Sequence, residues 1–116
     1  MTPPDPSKVY TGQAQPFSDG LKTNPNAGDI LASTIGVIFP VGSYTARILV
    51  ASTVTGSARI QQLDADRLTV LYEQYVYFLA STPFEVSITF SFGESNSVQI
   101  IAGGTLLGSV QISIFI

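Results

Sequence analysis

From Asp29 onward the chain alternates apolar and polar residues with a period of two. Val86, Ile88, Phe90 and Phe92 fall on one side of such a segment, and Ser87, Thr89 and Ser91 on the other. Tyr44, Ala46, Ile48 and Val50 alternate in the same way with Thr45, Arg47 and Leu49. Strict alternation places one face of a strand against a core and leaves the other outside. With turn residues as boundaries, the pattern predicts strands at about 30–39, 43–55, 57–63, 68–80, 84–92, 97–102 and 105–116. The breaks are Phe39-Pro40-Val41-Gly42, Thr55-Gly56-Ser57, Thr82-Pro83, Phe92-Gly93-Glu94-Ser95-Asn96 and Ala102-Gly103-Gly104.

The segment 68–80 fits a helix or a strand. Thr69, Val70, Tyr72, Tyr75, Val76, Tyr77 and Phe78 are β-branched or aromatic, which favours the strand. Both of its faces carry apolar or aromatic residues, so it is expected to be buried on two sides. Short strands at this spacing predict an all-β fold: an antiparallel β-sandwich, jelly-roll-like, of about seven to eight strands.

Residues 1–28 break the pattern. They hold five of the seven prolines (Pro3, Pro4, Pro6, Pro16 and Pro25), which excludes a long helix or a central strand. The expected organisation is an extended arm at 1–28 followed by a sandwich domain at 29–116. Val9, Tyr10, Phe17 and Leu21 are the arm's apolar points and its expected partner-binding residues. Met1-Thr2-Pro3-Pro4-Asp5-Pro6 has neither a basic stretch nor an apolar one, so no secretory signal is expected there.

Composition narrows the chemistry. Of 116 residues, 5 are Lys or Arg, 8 are Asp or Glu and none is His or Cys, for a formal net charge of −3. Only 11% are charged, against about 25% in a typical soluble domain, while 13 Ser and 11 Thr supply polarity instead. The Ser-His-Asp and Cys-His arrangements therefore cannot be built. The basic residues Lys8, Lys22, Arg47, Arg59 and Arg67 are scattered, so no phosphate-neutralising patch for nucleic acid is expected. The uncharged stretch 95–116 contains Gln99, Gln111, Ser109, Ser113 and Gly103-Gly104. It ends in period-two alternation, so it is read as strands rather than a membrane span.

Other motifs are weak. Gly103-Gly104 lies between two strands and reads as a turn, not a phosphate loop. Gly20-Leu21-Lys22-Thr23 lacks the upstream glycine of a P-loop. Asp64-Ala65-Asp66 would need Gly and Glu where Thr69 and Tyr75 stand to make an EF-hand loop, so it reads as a polar turn. Glu73, Glu85 and Glu94 have no spacing that selects them as a glycosidase pair. No catalytic, metal or cofactor site is assigned, and the expectation is a non-enzymatic protein. Tyr72, Tyr75, Tyr77 and Phe78 form the densest aromatic cluster, read as core or subunit interface, with exposed sugar-stacking tyrosines as the alternative.

A Pro-rich arm, Met1–Gly28, ahead of Ser/Thr/Gly-punctuated strands from Gly42 to Ile116 resembles the small capsid decoration (cement) proteins of tailed bacteriophages in overall style. The resemblance implies a jelly-roll-like sandwich that forms trimers at capsid symmetry axes. It also implies an arm that staples the major capsid protein or another virion protein, and hence location on the virion's capsid surface. The chain is thus expected to be a structural virion protein that reinforces an assembled capsid as a homo-oligomer, with no nucleic acid or membrane partner. The alternatives are a carbohydrate-binding β-sandwich module and a tail or adaptor protein of the same particle.

Overall fold

Wherever the alternation is clean, one side of the strand is sealed. In a computed structural model of the protein, which describes residues 8–10 and 16–116, Ala46, Ile48 and Val50 are buried while Thr45, Arg47 and Ala51 face outward. The described residues form ten strands: β1 (Lys8–Val9), β2 (Lys22–Thr23), β3 (Ile30–Ser33), β4 (Val37–Ile38) and β5 (Gly42–Ser52), followed by β6 (Gly56–Leu63), β7 (Val70–Phe78), β8 (Phe84–Phe92), β9 (Ser97–Ala102) and β10 (Ser109–Phe115).

Eight of these form two four-stranded antiparallel sheets, in the orders β2-β10-β5-β8 and β3-β9-β6-β7. Counting only those eight in chain order, the sheets read 1-8-3-6 and 2-7-4-5, the strand order of a jelly roll. β1 and β4 make a separate two-residue parallel pair. The expected all-β jelly-roll sandwich is the fold observed.

The core lies between the sheets. Ile48, Phe90, Phe92, Ile112 and Ile114 of the first sheet meet Leu31, Ile60, Val76, Phe78, Val98 and Ile100 of the second. Burying each such side chain contributes roughly 1.5–3 kcal/mol. Gly56 opens β6 where a Cβ would displace the end of the Leu106 side chain and press on the Phe78 ring.

Gln62 and Asn96 enter the core as a bonded pair, whereas the buried Ser97 Oγ has no partner among the described residues. Gln62 donates from Nε2 to the Ser91 carbonyl and to Asn96 Oδ1, both at 2.9 Å. Asn96 Oδ1 also accepts from the Gly93 amide at 2.8 Å, which closes the turn between β8 and β9.

Three boundaries differ from those expected. The segment 30–39 is two strands, because Thr34 turns inward and exchanges bonds with Val98, and Gly36 then takes φ 106°. The strand predicted at 43–55 ends at Ser52, whose Oγ bonds to both the amide and the carbonyl of Val54. The strand predicted at 105–116 begins only at Ser109, since Leu106 turns into the core first. A larger correction concerns β7: it is an edge strand, not one buried on two sides. Only Val76 and Phe78 of its residues are buried.

The described part of residues 1–28 is extended and lies on its own sandwich. The Tyr10 ring stacks on Phe39 at 4.7 Å, and its hydroxyl donates to the Ile116 carbonyl at 2.6 Å. Phe17 and Ile114 exchange backbone hydrogen bonds at 2.8 and 2.9 Å, and β2 pairs with β10. Residues 1–7 and 11–15 of the expected arm lie outside the described residues.

Candidate functional site

The outer face of the second sheet carries the chain's most concentrated surface chemistry. Ala58 and Ile60 point into the core, so Ser57, Arg59 and Gln61 of β6 point out. Val76 and Phe78 fix β7 in the same way and turn Glu73, Tyr75 and Tyr77 outward. The β6–β7 register sets Ser57 opposite Tyr77, Arg59 opposite Tyr75 and Gln61 opposite Glu73. On the other side of β6, Arg59 faces Ile101 and Gln61 faces Gln99.

Two rows result. In the first, the Tyr75 and Tyr77 rings lie nearly parallel, 22° apart, with centroids 6.4 Å from each other. Tyr77 is 72% exposed and Tyr75 43%. The Arg59 guanidinium carbon sits 5.0 Å from the Tyr75 centroid, within cation–π range. Its Nε is buried without a hydrogen-bond partner, and among the described residues Arg59 has no carboxylate within salt-bridge distance. In the second row, Gln99 Nε2 donates to Gln61 Oε1 at 2.9 Å, and Gln61 Nε2 donates to Glu73 Oε2 at 2.6 Å. The relay orients each group and ends on a carboxylate.

Together these make a flat surface: two stacked phenol rings, one guanidinium and a line of amide and carboxyl groups. Aromatic faces bind apolar C–H surfaces, and the polar row donates and accepts hydrogen bonds beside them. This face shows no cluster of three or more carboxylates, and the same is true of all the described residues.

The other surfaces are less organised for a ligand. A cleft of about 680 Å³ at one end of the sandwich is lined by Gln62, Asp64, Leu71, Glu94 and Asn96, among others. Its Gln62 and Asn96 are already bonded to each other and to the surrounding backbone, so these groups hold the loops. A hollow of about 430 Å³ on the outer face of the first sheet includes Leu49, Phe84 and Glu85. The cation nearby is already engaged: Arg47 lies 3.7 Å from Glu85 and over Phe115 at 5.0 Å.

The residues singled out from sequence fall in different places. Tyr10 and Phe17 are half-buried against the domain's own core, whereas Val9 (56%) and Leu21 (63%) are exposed. Glu73 and Glu85 lie on opposite outer faces and Glu94 in the β8–β9 turn, so no glycosidase pair is assembled across one cleft. Asp66 caps its own turn: it accepts from the Thr69 hydroxyl and from the Thr69 and Leu68 amides. Those bonds, the Thr69 hydroxyl first, hold its carboxyl below the ordinary 3.8. Tyr75 and Tyr77 are surface residues rather than core. Arg59, Gln61 and Gln99 are not among the site residues expected from sequence; their one signal is polarity at Ser57, Arg59 and Gln61 of β6 and at Gln99 between Val98 and Ile100 of β9.

No family model matches the sequence, and a comparison with curated proteins finds no match. Among solved structures, the chain is similar to a carbohydrate-binding module (CBM6cm-2) from Cellvibrio mixtus lichenase 5A, in complex with cellotriose. The TM-score is 0.54 at 23% identity, covering 89% of this chain and 83% of that one. At that identity the likeness shows the shared β-sandwich fold.

Proposed function

We propose that the protein is a non-catalytic carbohydrate-binding module and that the Tyr75–Tyr77 face is its binding surface. The observation that carries this reading is the pair of exposed, nearly parallel tyrosine rings beside the Gln99–Gln61–Glu73 relay. A pyranose has an apolar C–H face and a rim of hydroxyls. The rings take the face, while Glu73, Gln99 and Arg59 reach the rim. Such a platform needs no deep pocket, and Tyr77 is 72% exposed. The sandwich shared with a cellotriose-binding module supports the reading at the level of fold.

The test is titration calorimetry with cellotriose and with neutral and acidic oligosaccharides, on wild type and Tyr75→Ala. Binding to one class, weakened in the variant, supports the proposal. No binding to any, or equal binding by both proteins, refutes it.

Capsid decoration is the second proposal, supported by the exposed Val9 and Leu21 and by the Ser/Thr-rich outer face of β5 and β8. Tyr10 and Phe17 are spent on the domain's own core, so the grip would fall to Val9 and Leu21. A Val9→Ser, Leu21→Ser double variant tests it: lost attachment to assembled capsids supports this reading, and undiminished attachment opposes it.

A further inference from the structure

The two main sheets have four edge strands. β2 and β3 span only 2 and 4 residues. β8 matches β7 in length and likewise lacks Lys, Pro and Gly, but its exposed residues are Glu85, Ser87, Thr89 and Ser91, none of them apolar. The fourth, β7, is nine residues long and contains no Lys, Pro or Gly. Among the described residues it has no neighbour on its far side. Val70, Leu71, Tyr72, Tyr75 and Tyr77 are exposed along it, and Leu79 (64%) just beyond. A long apolar strand edge presents unpaired amides and carbonyls to any matching strand, and monomeric proteins normally block it.

We infer that β7 pairs antiparallel with β7 of a second copy of this chain, about a two-fold axis through Gln74, to join the two second sheets into one. Three observations select this register. A centre at Gln74 overlaps all nine residues, from Val70 opposite Phe78 to Phe78 opposite Val70. It keeps outward side chains opposite outward ones, setting Leu71 against Tyr77 of the other copy and Glu73 against Tyr75, as side-chain alternation demands. It also separates the strand's one charge from its own copy, whereas a centre at Glu73 would oppose two carboxylates, which is destabilising. The six exposed apolar side chains offer on the order of 600 Å² per copy. A stable interface needs about 800 Å² per partner, and the strand's own backbone supplies much of the remainder. The pairing is isologous and closed. It brings two tyrosine platforms side by side at the seam, and it stands without any ligand reading.

Sedimentation velocity of the full chain tests this. The expected species is a dimer, at twice the 12.3 kDa of one chain. The double variant Leu71→Lys, Tyr77→Lys, at two exposed positions, is expected to sediment as a monomer with the circular dichroism of wild type. Mixing it with Leu71→Glu, Tyr77→Glu is expected to restore a mixed dimer, because the register sets each Lys opposite a Glu. A wild type that stays monomeric up to about 1 mM, a concentration scale at which only very weak association escapes notice, overturns the inference. So does a dimer that survives the Lys variant, or a mixture that fails to pair although both variants are folded.

Discussion

The guanidinium of Arg59 lies 5.0 Å from the ring centroid of Tyr75, its direct cross-strand neighbour. The contact fixes the angle of that tyrosine, and through ring stacking it steadies Tyr77. If the face binds a saccharide, Arg59→Ala loses both a donor to the ligand and the support under Tyr75. The expected loss is about tenfold in affinity, or ~1.4 kcal/mol. Arg59→Lys keeps the charge but not the planar fork, so it is expected to recover only part of it. Calorimetry on the three proteins checks the order.

Tyr10 ties the start of the described chain to its end. Its hydroxyl bonds the Ile116 carbonyl and its ring stacks on Phe39. Tyr10→Phe removes one hydrogen bond and is expected to cost about 1 kcal/mol of unfolding free energy. Tyr10→Ala removes the ring as well and is expected to cost about 3 kcal/mol. Urea unfolding midpoints distinguish the two.

Asn96 is buried, and one of its oxygens serves two donors, Gln62 and Gly93. Asn96→Ala leaves those donors short of an acceptor. Each stranded buried group costs about 1–3 kcal/mol, so the loss of stability should exceed that of Tyr10→Phe in the same urea experiment.

Asp66 supplies a pH signature. Hydrogen bonds from Thr69 and Leu68 favour its ionised form and lower its pKa below 3.8. A group depressed on folding stabilises the fold above its unfolded pKa, and that contribution fades as pH falls through the folded value. Thr69→Ala removes the largest cause and is expected to move the Asp66 titration back up toward 3.8, observable by following the side-chain carboxyl carbon by NMR through an acid titration.

Much of this fold was legible because one signal, alternation, is set by local geometry. Ala46, Ile48 and Val50 had to share a face, and so did Ile88, Phe90 and Phe92. Alternation says which residues share a face, but not whether a second layer covers that face. For β7 this failed: Tyr75 and Tyr77 look like core by composition, yet they lie on the outer face of the second sheet, opposite the buried Val76 and Phe78. The site was only half legible for the same reason. Its aromatics stood out as a cluster, whereas Arg59, Gln61 and Gln99 join them only across strand pairings of long sequence separation. Tyr10 and Phe17 were picked out as anchors by their apolarity, which does not distinguish a foreign surface from the chain's own core.

The most direct test of the carbohydrate reading is a glycan array probed in parallel with wild type, Tyr77→Ala and Tyr10→Phe. The account predicts that wild type and Tyr10→Phe bind the same glycan class and that Tyr77→Ala loses it while remaining folded. A wild type that binds no glycan, or a folded Tyr77→Ala that binds as wild type does, would contradict it.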